Sequence, residues 1–292
     1  MKRVVVVDSS ANLAGEGSGV VSVPMKVIVD GHEFVDDSSL DLALMFRQLD
    51  ACSGPTSTSC ANIAEWRAAF EGADEVFALA LTSKISGGFN AAQAAAKHYL
   101  FDHPDSRVFV LDSLTTGPEL ELLAERACEL AESDMPFDDA VHELRAYSRR
   151  THLMFSLEKL ENFVRNGRVK PLVAKAAGVL GIRIVGQASP EGELELMNKV
   201  RGEKHALKQV LSNMCDAGFA GGRVRIRHTE NPAAASRLAE LIRGEWPDCD
   251  LEIGKNGALC SYYCEPGGVL VGFEGQPPSL LLSVRAGESL RS

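Results

Sequence analysis

Val76–Ser113, VFALALTSKISGGFNAAQAAAKHYLFDHPDSRVFVLDS, is the stretch on which the fold turns. Val76 to Leu81 is an unbroken apolar run, the pattern of a strand buried on both faces, and Val108 to Leu111 is a shorter run of the same kind. Between them Phe89 to Tyr99 is rich in alanine and reads as a helix. Strand, helix, strand in that order is the unit of a parallel sheet. The second run ends in Asp112-Ser113, and Val4-Val5-Val6-Val7 ends in the same pair at Asp8-Ser9.

Outward from this unit, Val20 to Val29 is another extended run, with Pro24 demoting it to an edge or a bulge, and Asp30-Gly31 supplies a turn. Ser38-Ser39 is a candidate cap for a helix over about 40–51, and Ser59 for one that carries Ile63, Trp66, Ala69 and Phe70 on one face. Helices over about 119–132 and 137–149 follow, after which the composition turns basic. A boundary near 150 is expected, giving domains 1–150 and 151–292. The second half reads as a helix over about 154–165, a Gly167-Arg168 turn and an alanine-rich helix over 171–180, then strands over 182–188 and 194–200. A helix from Lys204 to Met214, a strand from Val224 to Arg227 and a helix opened by Asn231-Pro232 come next. Strands near 250–254, 258–263, 268–274 and 280–284 complete the chain. The expected class is α/β: two α/β domains, a largely parallel sheet in the first and a mixed sheet in the second.

The 292 residues are 45% hydrophobic and 24% charged, a balance that excludes disorder, collagen and coiled coil. No apolar run approaches the roughly 18 residues of a membrane span, and no signal peptide is read, so no membrane insertion is expected. Seven irregularly spaced cysteines suit reduced thiols and a cytoplasmic location. The net charge of −10 argues against nucleic acid as a partner. Residues 145–208 depart from it, with 13 basic side chains against 6 acidic. This run, from Arg145, Arg149 and Arg150 through Arg165, Arg168 and Arg183 to Lys208, is either solvated surface or a docking face.

Two segments place hydroxyls and small residues before a helix: Pro55-Thr56-Ser57-Thr58-Ser59 and Ser83-Lys84-Ile85-Ser86-Gly87-Gly88. A helix N-terminus offers unpaired N–H groups and a positive dipole end, so such hydroxyls suit a carboxylate or phosphate, although ordinary capping explains each one as well. Arg168 would add a guanidinium fork. There is no G-x-S-x-G elbow, Walker loop, strand-anchored G-x-G-x-x-G or H-E-x-x-H. Gly15 to Gly19 reads as a loop. Cys260 and Cys264 lie in a strand-like segment without a companion pair, so no metal is expected.

Taken together the motifs resemble the DegV family of bacterial fatty-acid-binding proteins. Val7-Asp8-Ser9-Ser10-Ala11-Asn12-Leu13, Val23-Pro24-Met25 and Asp30-Gly31 are similar to the family's opening elements. Thr58-Ser59 with Trp66 and Phe70 resembles its T-S element, Ser83–Gly88 its S-x-L-S-G-T, and Asp112-Ser113 its D-S pair. Asn166-Gly167-Arg168-Val169 resembles the G-R turn, and Lys199-Val200-Arg201-Gly202 the K-V-R-G element. The resemblance implies a long-chain fatty acid in a tunnel between the two domains and no other cofactor. Its carboxylate would be held by Thr58 and Ser86, with Thr56 the alternative to Thr58, and Arg168 nearby. Ser59, Gly87, Gly88 and Tyr263 complete the expected ligand-binding set. It also implies that the chain performs no chemistry itself but presents the carboxylate to a separate ATP-dependent kinase docked on the 145–208 surface. Rival readings are a sensor or storage protein without a kinase, and an acyl hydrolase using Ser86. Cys60-Ala61 stands where the family has Gln-Pro, and Gly88 where it has Thr. Tyr263-Cys264-Glu265-Pro266-Gly267 stands for H-x-G-P-G. Tyr263 brings a hydrogen bond but no positive charge near neutral pH, and Glu265 brings a negative one unless it points away.

Overall fold

A computed structural model describes residues 1–13, 19–169 and 181–277. The helix expected over 171–180, the strand over 280–284 and most of the Gly15–Gly19 loop lie outside them.

The protein is an α/β fold, with a parallel sheet in its N-terminal part and a mixed sheet in its C-terminal part. Strands β1 (Arg3–Asp8), β2 (Val21–Val23), β6 (Glu75–Ala80) and β7 (Arg107–Asp112) form the parallel sheet in the order β2-β1-β6-β7. Successive side chains point to opposite faces, and both faces are covered. Val6, Val76, Ala78 and Ala80 pack on helices α2 (Ile63–Phe70) and α3 (Gly88–Asp102), around Trp66, Phe70 and Ala92. Val5, Val7, Phe77 and Leu79 pack on α4 (Gly117–Glu132) and α5 (Phe137–Ser148), around Leu120, Leu123 and Leu144.

The run from Val20 to Val29 divides at Pro24-Met25. Its first half is the edge strand β2, and its second is β3 (Lys26–Val29), the centre of an antiparallel sheet with β4 (His32–Val35) and β5 (Thr56–Ser59). The Ser59 cap is therefore corrected: Ser59 ends β5, and α2 starts from a capping box between Asn62 and Glu65. Helix α1 (Leu42–Ala51) is likewise capped by Asp41 rather than by Ser38 or Ser39.

The six-stranded sheet has the order β10-β9-β8-β13-β11-β12, antiparallel except for the last pair. Its strands are β8 (Thr151–Leu157), β9 (Ile182–Ala188), β10 (Leu194–Arg201), β11 (Val224–His228), β12 (Leu251–Lys255) and β13 (Val269–Glu274). Helices α7 (Glu203–Asp216) and α8 (Pro232–Glu245) cover one face around Leu207, Val210 and Leu238.

Two expectations are overturned here. The helix over 154–165 is strand β8 followed by the short α6 (Glu161–Arg165), because Leu153, Phe155 and Leu157 alternate into one cluster and β8 pairs on both sides. The strand over 258–263 is helix α9 (Ala258–Cys264), because the Asp36 carboxylate accepts Leu259 N at 3.2 Å and also Ala258 N. That cap comes from more than 200 residues away.

Helix α4 packs on both sheets, on β1 and β6 at one side and on β13, β11 and β8 at the other. Gly272 permits this closeness: a Cβ there would stand 2.4 Å from the Pro118 carbonyl. Glu121 and Glu125 on α4 meet Arg227 and Arg225 on β11, and Glu129 meets Arg223 immediately before that strand. Four helical residues rise about 6 Å and two strand residues about 6.6 Å, so every rung of this ladder engages. Glu125 holds Arg225 in a bidentate pair at 2.7 and 2.8 Å. Among the described residues no helix is long and apolar enough to cross a membrane. All seven cysteines are free thiols.

Candidate functional site

Parallel strands end where their connections part, and the crevice beyond those ends is where α/β folds place ligands. Beyond β1 and β6 lies a cavity of about 270 Å³, closed from the other side by β8, β13 and α9. Leu153, Phe155 and Leu157, alternate residues of β8, line its length. Met25, Leu81, Leu259 and Leu270 complete an apolar wall, in which Thr116 and the thiols of Cys260 and Cys264 are the polar interruptions.

One end is polar. Thr58, Ser59, Ser86, Gly87, Arg168 and Tyr263 line it together, bringing six of the seven expected residues to one place. Ser86, Gly87 and Arg168 also line an outer depression with Ser83, Lys84, Gly167 and Glu193, so this end opens to solvent. Gly88, the seventh, lies buried behind Ser86 and donates its N–H to Ser86 Oγ at 3.1 Å. Ser86 therefore keeps its own proton for a ligand at the N-terminus of α3.

Thr58 is not at a helix N-terminus. It sits opposite Val27 in the antiparallel sheet, and its hydroxyl is 2.8 Å from the Tyr263 hydroxyl. Thr56, two residues earlier, stays outside the cavity lining and lies 2.7 Å from Tyr262 OH. Ser59 lines the cavity but turns its hydroxyl to the Cys60 carbonyl at 3.2 Å. Burial pushes the Tyr263 phenol above its ordinary value, against the pull of the Thr58 hydrogen bond and the Arg168 charge. It stays protonated at neutral pH and can donate.

Glu265 points away from the cavity: its carboxylate accepts Asn162 N at the start of α6, at 3.1 Å. The two Asp-Ser pairs shape the walls from behind. Asp8 accepts Leu81 N at 2.6 Å and Asp112 accepts Ser83 N at 3.0 Å, while Ser9 donates to Asp36 and Ser113 to the Thr115 carbonyl. Burial raises the Asp8 and Asp36 carboxyls above their ordinary range. The basic run does not form one continuous face. Arg183 is buried between Glu158 and Glu203, at 3.1 and 2.9 Å, and Arg165 pairs with Glu161. Lys170 and Lys175 lie outside the described residues.

Sequence reasoning missed Thr116 and the alternating Leu153, Phe155 and Leu157 of β8, and marked Cys60 only as a departure from the T-S element. The alternation was present but was read as helical, whereas Thr116 enters only through the packing of α4 on β13.

The family model described as "Uncharacterised protein, DegV family" matches residues 2–275. A DegV domain-containing protein of Streptococcus pneumoniae is 39% identical over 254 residues, 87% of this chain and 90% of the relative. The crystal structure of the Streptococcus pneumoniae fatty acid kinase (Fak) B3 protein loaded with linoleic acid is 36% identical, with a TM-score of 0.92. A DegV family protein from Eubacterium eligens loaded with heptadecanoic acid is 38% identical, with a TM-score of 0.90. Each superposition covers 94% of this chain and 100% of the other.

Proposed function

Because the chain belongs to the DegV family, we propose that it binds one long-chain fatty acid in the cavity and presents the carboxylate at the polar mouth. The observation that carries this reading is a single cavity apolar along β8 and polar at one end. Each buried methylene contributes about 0.8 kcal/mol, so the walls supply affinity. Thr58, Ser86, Tyr263 and Arg168 supply hydrogen bonds and one positive charge, with Ser59, Gly87 and Gly88 shaping the rim. The fatty acid is the ligand, and no further cofactor enters the reading.

The chain then acts as the lipid-carrying partner of a separate ATP-dependent kinase. The likeness to a fatty acid kinase B3 protein supports this step. The kinase docks on exposed arginines of the 145–208 surface, in the cytoplasm. Reversing Arg149, Arg150 and Arg165 to Glu should abolish acyl phosphate formation while the lipid stays bound; unchanged turnover would remove that docking face from the proposal. A nucleophilic role for Ser86 has less support. Among the described residues the cavity lining holds no His, Asp or Glu to serve as its base, and the outer depression that Ser86 also lines adds only Glu193.

The test is native mass spectrometry of the purified protein with extraction of its ligand. A stoichiometric fatty acid, lost from a Thr58→Ala, Ser86→Ala double variant, is the expected result. A protein that is empty and refuses added fatty acids overturns the reading.

A further inference from the structure

Tyr263 faces the cavity, while its neighbour Tyr262 is fully buried behind it, against Val27, Met45 and Ala258. Two groups meet the Tyr262 hydroxyl: Asn166 Nδ2 at 2.8 Å and Thr56 Oγ1 at 2.7 Å. The direction of this chain follows from donor and acceptor types. Asn166 Nδ2 also donates to the Asn162 carbonyl at 2.9 Å, and a carbonyl only accepts, so it is the amide nitrogen that faces Tyr262. The phenol oxygen accepts that second N–H, and its own proton is left for Thr56.

Asn166 opens the turn that carries Arg168. Its carbonyl accepts Arg168 Nη1 at 3.3 Å, and Gly167 passes through a φ of 65° that glycine adopts without strain. Within the turn, Gly167 N donates to the Val164 carbonyl at 3.1 Å and Arg168 N to the Phe163 carbonyl at 2.9 Å, so the turn moves with α6. Helix α6 in turn is tied to α9. Asn162 Nδ2 donates to the Tyr262 carbonyl at 2.8 Å, Asn162 N to Glu265 Oε1, and the Phe163 ring lies 4.7 Å from that of Tyr263. Glu265 holds its place at a φ of 54°, a conformation costly for a non-glycine residue and kept where the surroundings fix it. Its carboxylate latches one end of α6 and the Tyr262 hydroxyl latches the other.

We propose that Tyr262 and Asn166 are positioning residues of the ligand site, fixing the Asn166–Arg168 turn to α9 so that the Arg168 guanidinium stands at the mouth beside Thr58 and Tyr263. This rests on the carboxylate-binding reading above and names what places its one positive charge. Arg168 is exposed and long, and without a fixed turn its side chain would lose freedom on binding and repay less of the contact.

The test compares oleic acid with oleyl alcohol, which shares the chain but has no negative charge, by titration of the full-length protein. Tyr262→Phe should weaken oleic acid binding about five- to tenfold and leave oleyl alcohol within about twofold. In an Arg168→Ala background the same substitution should have no further effect, because a group acting through Arg168 is silent once Arg168 is gone. Asn166→Ala, at a half-buried position, should repeat the pattern and serves if the Tyr262 variant does not fold. Equal loss for acid and alcohol, an undiminished loss in the Arg168→Ala background, or no loss at all overturns the inference. The failure of the underlying reading looks different: the unmodified protein would then fail to prefer the acid to the alcohol.

Discussion

Thr58 and Tyr263 share a hydrogen bond of 2.8 Å across 205 residues of sequence. One hydroxyl donates to the other, so the pair has a single proton left to offer the cavity. With burial keeping the phenol protonated, the two side chains form one neutral donor, and the positive charge on the cavity lining comes from Arg168, with Lys84 farther out in the outer depression.

Removing either member should therefore do nearly the same damage. Tyr263→Phe and Thr58→Ala should each weaken fatty acid binding about five- to thirtyfold, and the double variant should fall short of the product of the two. Displacement of a fluorescent fatty acid measures all three. Fully multiplicative losses would show that the two hydroxyls act separately.

Leu153 stands opposite Gly272, where the N-terminus of α4 closes in, and so lies at the end of β8 away from Phe163 and Tyr263. Leu153→Phe should shorten the space for the chain and shift the bound lipids toward shorter acyl groups. Gas chromatography of extracted ligands checks this; an unchanged length distribution would place the end of the acyl chain elsewhere.

The charge ladder between α4 and β11 grades from interior to surface. Glu121→Ala leaves Arg227, whose side chain is 6% exposed, with only the peripheral Glu252, and should cost about 3 kcal/mol. Glu129→Ala, whose partner Arg223 is 29% exposed, should cost less than about 1 kcal/mol. Urea unfolding gives both values, and equal costs would contradict the grading.

Glu119 is buried beneath the hydroxyls of Thr115 and Thr151, and burial raises its carboxyl to about 7. Between about pH 4.5 and 7 the folded protein keeps a proton that the unfolded chain releases, so this group makes stability fall as pH rises through that window. Glu119→Gln should remove the slope and gain on the unmodified protein between pH 5 and pH 8. Thermal unfolding at the two pH values decides; a constant difference between the proteins would mean Glu119 ionises normally.

Strands β1, β6 and β7 were legible because their apolar residues run without interruption, as suits β1 and β6 buried on both faces and β7 half-buried at the sheet edge. Helices α3, α4 and α5 announced themselves by composition and length. The errors fall where distant partners decide local structure. Residues 258–264 are helical because Asp36 caps them, and residues 151–157 form a strand because β9 and β13 lie on either side. The hydroxyls of Thr56–Ser59 looked like caps, yet pairing with β3 makes them a strand whose alternate residues face inward. Thr58, Ser86, Arg168 and Tyr263 emerged from motifs matching a known family and converge on one end of one cavity. Asn166 stood inside the G-R motif without a role and Tyr262 in no motif at all, since the meaning of both lies in a contact spanning 96 residues.

The ladder on α4 also behaves as a rack. Sliding the helix one turn along β11 would leave an unmatched charge at each end, and a shift of half a turn would match none. The two sheets thus travel as one block. Segment Asn162–Val169 has no such ladder: three hydrogen bonds from Asn162 and Asn166 and the Phe163–Tyr263 ring contact tie it to α9 and Glu265, so breathing that admits a bulky molecule belongs there rather than at the seam. Amide exchange should be fast in that segment and slow along α4 and β11, and the reverse order would place the door at the seam between the sheets.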